Sequence, residues 1–344
     1  MCALLVFCLA ILTFRPGAGV AGERPGIPLE VAPTFADVEY ATVPASDGRP
    51  VVLKMNIYSP TAPSGNSPIL VFVHGGAWME GDYTIARELR GDEPNGNYHA
   101  WFAMRDRGAA IATIGYRLSM DAVFPAQIND VKGAIRFLKA NAKKYGIDPE
   151  RIAIAGTSAG AHLALLAALT GDVKELEGDT GGNLGYSSRV MACVDYFGMT
   201  DFTRLAADIY DSPWLITGKD AYDLVDAPTS SRSRLFGLDK GKGLGDVVAH
   251  IGKTDPAYEK QIALVKLGSP LFHVSPDDPP IFIGNGARDH RVPQAQSKRL
   301  FDALAREGIE AHLMVNSKVG HEDLGDIING ASVDFLLRKF GMKD

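Results

Sequence analysis

The chain has 344 residues, 46% hydrophobic and 22% charged, which supplies a large core and excludes an intrinsically disordered chain. With 35 Lys and Arg against 41 Asp and Glu, the formal charge is -6 and no basic run occurs, which argues against a nucleic-acid surface. Residues 1–21 read as an export signal: an apolar run over 3–14, too short to span a bilayer, is followed by small residues at Gly19 and Ala21. Cleavage after Ala21 predicts a secreted or periplasmic mature chain with no stable membrane insertion; no Lys or Arg precedes Arg15, and a mis-assigned start codon or an unprocessed membrane anchor are the alternative readings. It also removes Cys2 and Cys8, so the mature chain keeps Cys193 and forms no intramolecular disulfide. Cys193 sits in an apolar run and reads as a small buried hydrophobe.

Residues 22–36 are a Gly- and Pro-containing leader, and one folded domain is expected over 37–344. Segments 37–43 and 51–58 read as two strands joined by the turn Ser46-Asp47-Gly48-Arg49-Pro50. The uninterrupted apolar run 69–73 is the pattern of a central parallel strand covered on both faces. It opens into His74-Gly75-Gly76-Ala77-Trp78, where a glycine pair lets the backbone turn its N–H groups into a cleft. For acyl transfer, the N–H groups of Gly76 and Ala77 would form an oxyanion hole with that of Ala159; a plain tight turn braced by His74 is the other reading. Trp78 reads as a wall of the site.

A polar flap follows at 80–97, then a helix over 97–107, a buried strand over 109–114, and a helix over 127–145 with Ile128, Val131, Ile135, Leu138 and Ala142 on one face. Next comes an apolar run ending in Gly156-Thr157-Ser158-Ala159-Gly160, with an apolar helix directly after it. That is G-x-S-x-G between strand and helix, which lifts Ser158 above the sheet at a helix N-terminus suited to a developing negative charge. Residues 171–189 are a Gly-rich surface insertion and 190–197 a strand. From 199 to about 266 the alternation breaks down, and Tyr210, Trp214, Tyr222 and Leu235 are scattered among polar residues. This insertion reads equally as a lid lining the pocket or as surface decoration, with some helix over 258–267. Strands over 280–284 and 310–315, helices over 293–308 and 326–340, and the loops holding Asp289 and His321 complete the chain. The alternation predicts an α/β class with a mostly parallel central sheet, helices on both faces, and the insertion over the sheet's C-terminal end.

A serine hydroxyl needs a base to take its proton, and that base needs an orienting anion. Catalytic groups belong at the C-terminal ends of parallel strands, where His321 and Asp289 lie in the order Ser, Asp, His. His312 falls inside a strand, His162 reads as packed or bracing, and His290 and Trp214 are candidates for lining the pocket. Asp195 and Asp201 are the alternative acids. No phosphate loop, zinc-type His-Glu motif or Cys/His cluster occurs, so neither metal nor cofactor is expected.

The chain resembles the α/β-hydrolase esterases, especially the branch with an HGG-type oxyanion loop that includes bacterial feruloyl-esterase-like and acetyl-esterase proteins. The resemblance runs through His74–Trp78 with Gly81-Asp82, Tyr116-Arg117-Leu118 with Phe124-Pro125-Ala126-Gln127 and Asp130, and Gly156 to His162. It continues through Ser269-Pro270 to Pro280, Asp289 with Val292-Pro293 and Gln296-Ser297, and Gly320-His321. It implies Ser158 as nucleophile, His321 as base, Asp289 as orienter and backbone donors at Gly76, Ala77 and Ala159. Two departures stand out: Ala77 replaces a third glycine, and Asn285 to Asp289 lacks the His and first Asp of the relatives' HGDxD stretch. Arg117 and Asp130 read as an internal ion pair. The implied activity is hydrolysis of short acyl or aryl esters, including acetyl or feruloyl groups on plant polysaccharides. An amidase or exopeptidase of arylformamidase type, or a non-catalytic binder, would use the same scaffold.

Overall fold

The computed structural model describes residues 32–62, 65–84, 100–171, 173–214, 225–238 and 241–342. The export segment, most of the leader and the greater part of the 80–97 flap lie outside these residues. Among them, eight strands form one sheet in the order β1-β2-β4-β3-β5-β6-β7-β8. The strands are β1 (Phe35–Pro44), β2 (Pro50–Tyr58), β3 (Ser67–Val73), β4 (Ala110–Ile114), β5 (Ile147–Thr157), β6 (Cys193–Tyr196), β7 (Ile281–Gly286) and β8 (Ala311–Asn316). β1 pairs antiparallel with β2 and β2 with β4; every pairing from β4 to β8 is parallel. The helices are α1 (Ala126–Ala140), α2 (Ala142–Tyr145), α3 (Ala159–Leu169), α4 (Leu205–Tyr210), α5 (Ser231–Leu235), α6 (Leu244–Ala249), α7 (Glu259–Leu267), α8 (Gln294–Arg306) and α9 (Asp326–Lys339).

The apolar run of β3 feeds two layers. Ile69, Val71 and Val73 face a core shared with Ile128, Val131, Ile135 and Leu163, while Leu70 and Phe72 face Trp101, Phe335 and Leu336. Burial on both faces is why this strand shows no alternation. From β3 the chain steps outward to β4, then returns past β3 to β5 and proceeds the other way. Such a reversal opens a crevice at the C-terminal ends of the two flanking strands. Here those strands are β3 and β5, whose ends carry the His74–Trp78 loop and Ser158.

Three boundaries differ from expectation. The helix over 127–145 is two pieces, because Asn141 leaves helical geometry (φ -110, ψ 18) and its side chain bonds the Phe137 carbonyl at 2.9 Å. The end of the 97–107 helix is a tighter 3-10 turn, Ala103–Arg107, stopped by Gly108 at φ 96. The strand expected over 190–197 is confined to Cys193–Tyr196.

Described parts of the 199–266 insertion pack into the fold. Phe202, Leu205, Val225, Leu235, Phe236, Leu244 and Val265 are buried in the main core. Phe236 packs edge-on against Phe202 at 5.0 Å and Phe124 at 5.6 Å. Cys193 is buried, and no helix of the described residues is long and apolar enough to cross a membrane.

Candidate active site

β5 ends at Thr157 and α3 begins at Ala159, so the chain turns on Ser158 alone, with φ 54 and ψ -121. A non-glycine residue in that region is strained, and such strain gathers at functional turns. The flanking glycines make the turn sterically feasible. A Cβ on Gly156 would lie 2.4 Å from the Gly160 carbonyl, and one on Gly160 would lie 2.1 Å from the Val73 carbonyl oxygen. The second contact also shows that α3 starts directly against the end of β3.

The Ser158 hydroxyl lies 2.8 Å from His321 Nε2, and His321 Nδ1–H donates to Asp289 Oδ2 at 2.7 Å. Asp289 is 1% exposed, and its Oδ1 accepts the backbone N–H groups of Arg291 and Val292, both at 2.8 Å. With Nδ1 donating, Nε2 is the acceptor and faces the serine. The structure therefore brings Ser158, His321 and Asp289 into one hydrogen-bonded chain. Asp195 and Asp201 do not join it: Asp195 Oδ1 accepts the Gly198 N–H at 2.7 Å, and Asp201 Oδ1 accepts the Thr203 N–H at 2.9 Å. Phe197, which the sequence did not single out, packs on His321 with ring centroids 4.5 Å apart. Nothing but its place after β6 could have signalled that role.

The loop after β3 runs through three consecutive left-handed residues, Gly76 (φ 101), Ala77 (φ 52) and Trp78 (φ 58). A side chain at Gly76 would meet the Glu80 carbonyl oxygen at 2.2 Å, so only glycine fits. The Gly76 carbonyl accepts from Met79 at 2.9 Å and Glu80 at 3.1 Å, closing the turn. The N–H groups of Gly76, Ala77 and Ala159 have no backbone acceptor among the described residues. His74 braces this loop: its Nδ1–H bonds the Gly75 carbonyl at 2.8 Å and its ring stacks on Tyr116 at 4.4 Å. Burial pushes the His74 pKa down to about 4, so the ring is neutral.

Trp78 corrects the expectation of a pocket wall. It is 0% exposed, and its indole N–H donates to His162 Nδ1 at 3.2 Å. The left-handed turn carries the ring inward, where it meets His162 and Phe202. His162 in turn donates from Nε2 to the Gly268 carbonyl at 2.7 Å, and burial holds its pKa down at about 4. Trp214 is 46% exposed, with the Arg288 guanidinium 5.1 Å over its ring. His290 is half-buried next to Asp289. Arg117 and Asp130 form a two-bond ion pair (2.8 and 2.7 Å) that ties the segment after β4 to α1. Among the described residues, no group of three or more His, Cys, Asp or Glu could hold a metal ion.

An alkoxide-forming serine, an oriented imidazole, a buried carboxylate and free backbone donors are the parts that acyl transfer requires. Comparisons with known proteins point the same way. The model of the BD-FAE family matches residues 55–304. The isoprenylcysteine alpha-carbonyl methylesterase ICME of Arabidopsis thaliana is 28% identical over 277 residues, 79% of this chain and 54% of that one. Esterase LipQ of Mycobacterium tuberculosis is 30% identical over 285 residues, 82% of this chain and 55% of that one. The chain thus spans about half the length of the curated relatives it matches. Among solved structures, a truncated carbohydrate esterase from gut microbiota superposes with a TM-score of 0.68 at 26% identity, covering 89% of this chain and 96% of that one.

Proposed function

The chain belongs to the BD-FAE family of α/β-hydrolase esterases, and from that membership we propose that it is a serine carboxylesterase. The observation that carries the reading is the unbroken hydrogen-bonded chain from Ser158 through His321 to Asp289. In the proposed reaction Ser158 Oγ attacks the ester carbonyl carbon while its proton passes to His321 Nε2. The carbonyl oxygen becomes an oxyanion held by the N–H groups of Gly76, Ala77 and Ala159. The bond to the alkoxy group breaks, and that oxygen leaves with the proton from His321. Water then attacks the acyl-enzyme, giving its proton to His321; Ser158 regains a proton and the carboxylic acid departs. Asp289 fixes the imidazole and offsets its transient positive charge.

The substrate class proposed is short acyl or aryl esters, among them acetyl or feruloyl groups on plant polysaccharides. The likeness to a carbohydrate esterase supports this, as does an exposed Trp214 beside the acid loop, since exposed aromatic rings suit flat faces of sugars or aryl groups. His290 is proposed to line the same mouth. Export through residues 1–21, to the periplasm or medium, fits polymeric substrates.

The test is turnover of p-nitrophenyl acetate, butyrate and octanoate, with the matching anilides, by the protein and by Ser158→Ala. Ester hydrolysis that falls at least about a thousandfold in the variant, with slower anilides, supports the reading. Activity that survives in Ser158→Ala overturns the mechanism, and anilides turned over faster than esters would make it an amidase.

A further inference from the structure

The resting triad, with a neutral imidazole, carries one buried negative charge. Asp289 is 1% exposed, and a carboxylate that deep needs a countercharge as well as its hydrogen bonds. Among the described residues, the charged and titratable groups near the Asp289–His321 pair include Arg288, His290 and Arg291 on the acid loop, Glu322 and Asp323 beside His321, and Arg232 from the insertion. Arg288 and Arg291 are exposed, so water screens them. Arg232 is 6% exposed. Its guanidinium donates to the Arg291 carbonyl at 3.3 Å, and it is the Arg291 N–H that donates to Asp289 Oδ1 at 2.8 Å.

Arg232 is held in place by its own helix. Ser230 caps α5 by accepting the Ser233 N–H at 3.1 Å and donates to the Val225 carbonyl at 2.9 Å. Ser233 Oγ donates to the Ala227 carbonyl at 2.8 Å and accepts the Leu244 N–H at 2.9 Å. A buried guanidinium is expensive to desolvate, and this one lies close enough to Asp289 for the two charges to act on each other. Burial draws its pKa down to about 10, with Arg291 adding to the effect and Asp289 opposing it, so it stays charged at neutral pH.

We propose that Arg232 is a positioning residue for the triad: a buried cation, supplied by the insertion, that braces the Asp289 loop and offsets the charge of the Asp289–His321 pair. The insertion is then part of the catalytic machinery. This rests on the triad reading above. The sign follows from charge: a cation disfavours the imidazolium, so removing it favours protonated His321 and an inactive base at higher pH.

The experiment is the pH profile of kcat/KM for p-nitrophenyl acetate with the full chain, Arg232→Gln, Arg232→Lys and Ser158→Ala. Folding is checked by circular dichroism and active sites are counted with a fluorophosphonate. The expected result is an acidic limb moved to higher pH by about half a unit or more in Arg232→Gln, at its original place in Arg232→Lys, with activity lost about tenfold in Gln and less in Lys. A folded Arg232→Gln whose profile superimposes on the parent after scaling overturns the proposal. If Gln does not fold, Arg232→Met takes its place with the same two readings: a limb moved to higher pH supports the proposal and an unmoved one overturns it. Should Ser158→Ala remain active, the triad reading itself has failed, which is a separate outcome.

Discussion

Asp195 lies on β6 opposite Gly156, two residues before Ser158. Its Oδ1 accepts the Gly198 N–H, while Oδ2 is buried with no partner among the described residues. Burial pushes its pKa up to about 7, against about 3.9 in an unfolded chain. The folded state therefore holds a proton that the unfolded state has lost, and this group's contribution to stability falls as pH rises from about 4 to about 7. Asn at this position keeps the acceptor for Gly198 and removes the ionisation. Asp195→Asn is expected to raise the melting temperature by a few degrees at pH 8 and by less at pH 5. His74 and His162 act in the opposite direction, stabilising above 6.5 and losing that contribution as pH falls towards 4. Both remain in the variant and cancel in the difference. A gain of equal size at both pH values would show that the Asp195 charge is not the cause. In the sequence this residue was legible only as a spare acid, because burial of one carboxyl oxygen is a property of packing, not of pattern.

Between the His74–Trp78 loop and α3, a hydrogen-bonded link runs through one imidazole. His162 is four residues beyond Ser158 on α3, accepts from Trp78 and donates to Gly268. Both bonds need the neutral ring with its proton on Nε2, which burial secures. Trp78 follows Ala77 directly, so anchoring its indole helps hold the left-handed φ values of Gly76 and Ala77, whose N–H groups are the proposed oxyanion donors. Trp78→Phe keeps most of the packing and deletes only the donor. It is expected to lower kcat about tenfold with KM within about a factor of two, because an oxyanion donor acts in the transition state. Steady-state kinetics on p-nitrophenyl butyrate check this; an unchanged kcat would mean that packing alone holds the loop. Elements themselves were readable from sequence: every strand of the sheet and the elbow follow from apolar runs and from Gly156, Ser158 and Gly160. The inward turn of Trp78 was not, since a tryptophan after two small residues carries no sign of the direction its backbone will take. Nor was the break at Asn141, which a local side-chain bond decides within an otherwise helical pattern.

At the scale of the molecule, the loops of the sheet carry Ser158, Asp289 and His321, and described parts of the 199–266 insertion pack beside them. The insertion's irregular sequence concealed this, because its apolar residues bury against the core without any period. Its buried side reaches the acid loop through Arg232, and its exposed side presents Trp214 against Arg288. These two surfaces have separable effects. In the proposed reading Arg232 bears on the triad and so on every substrate, whereas Trp214, 46% exposed, would touch only what reaches beyond the scissile ester. A p-nitrophenyl acetate molecule ends close to the serine; an acetylated or feruloylated oligosaccharide extends across the mouth. Trp214→Ala is therefore expected to raise KM for acetylated xylo-oligosaccharides about tenfold, and to leave kcat/KM for p-nitrophenyl acetate within about a factor of two. Parallel kinetics on the two substrates read this directly. An equal loss on both would assign Trp214 to holding the acid loop through Arg288, and no loss on either would remove it from the substrate path and leave a small-ester enzyme whose specificity lies nearer the serine.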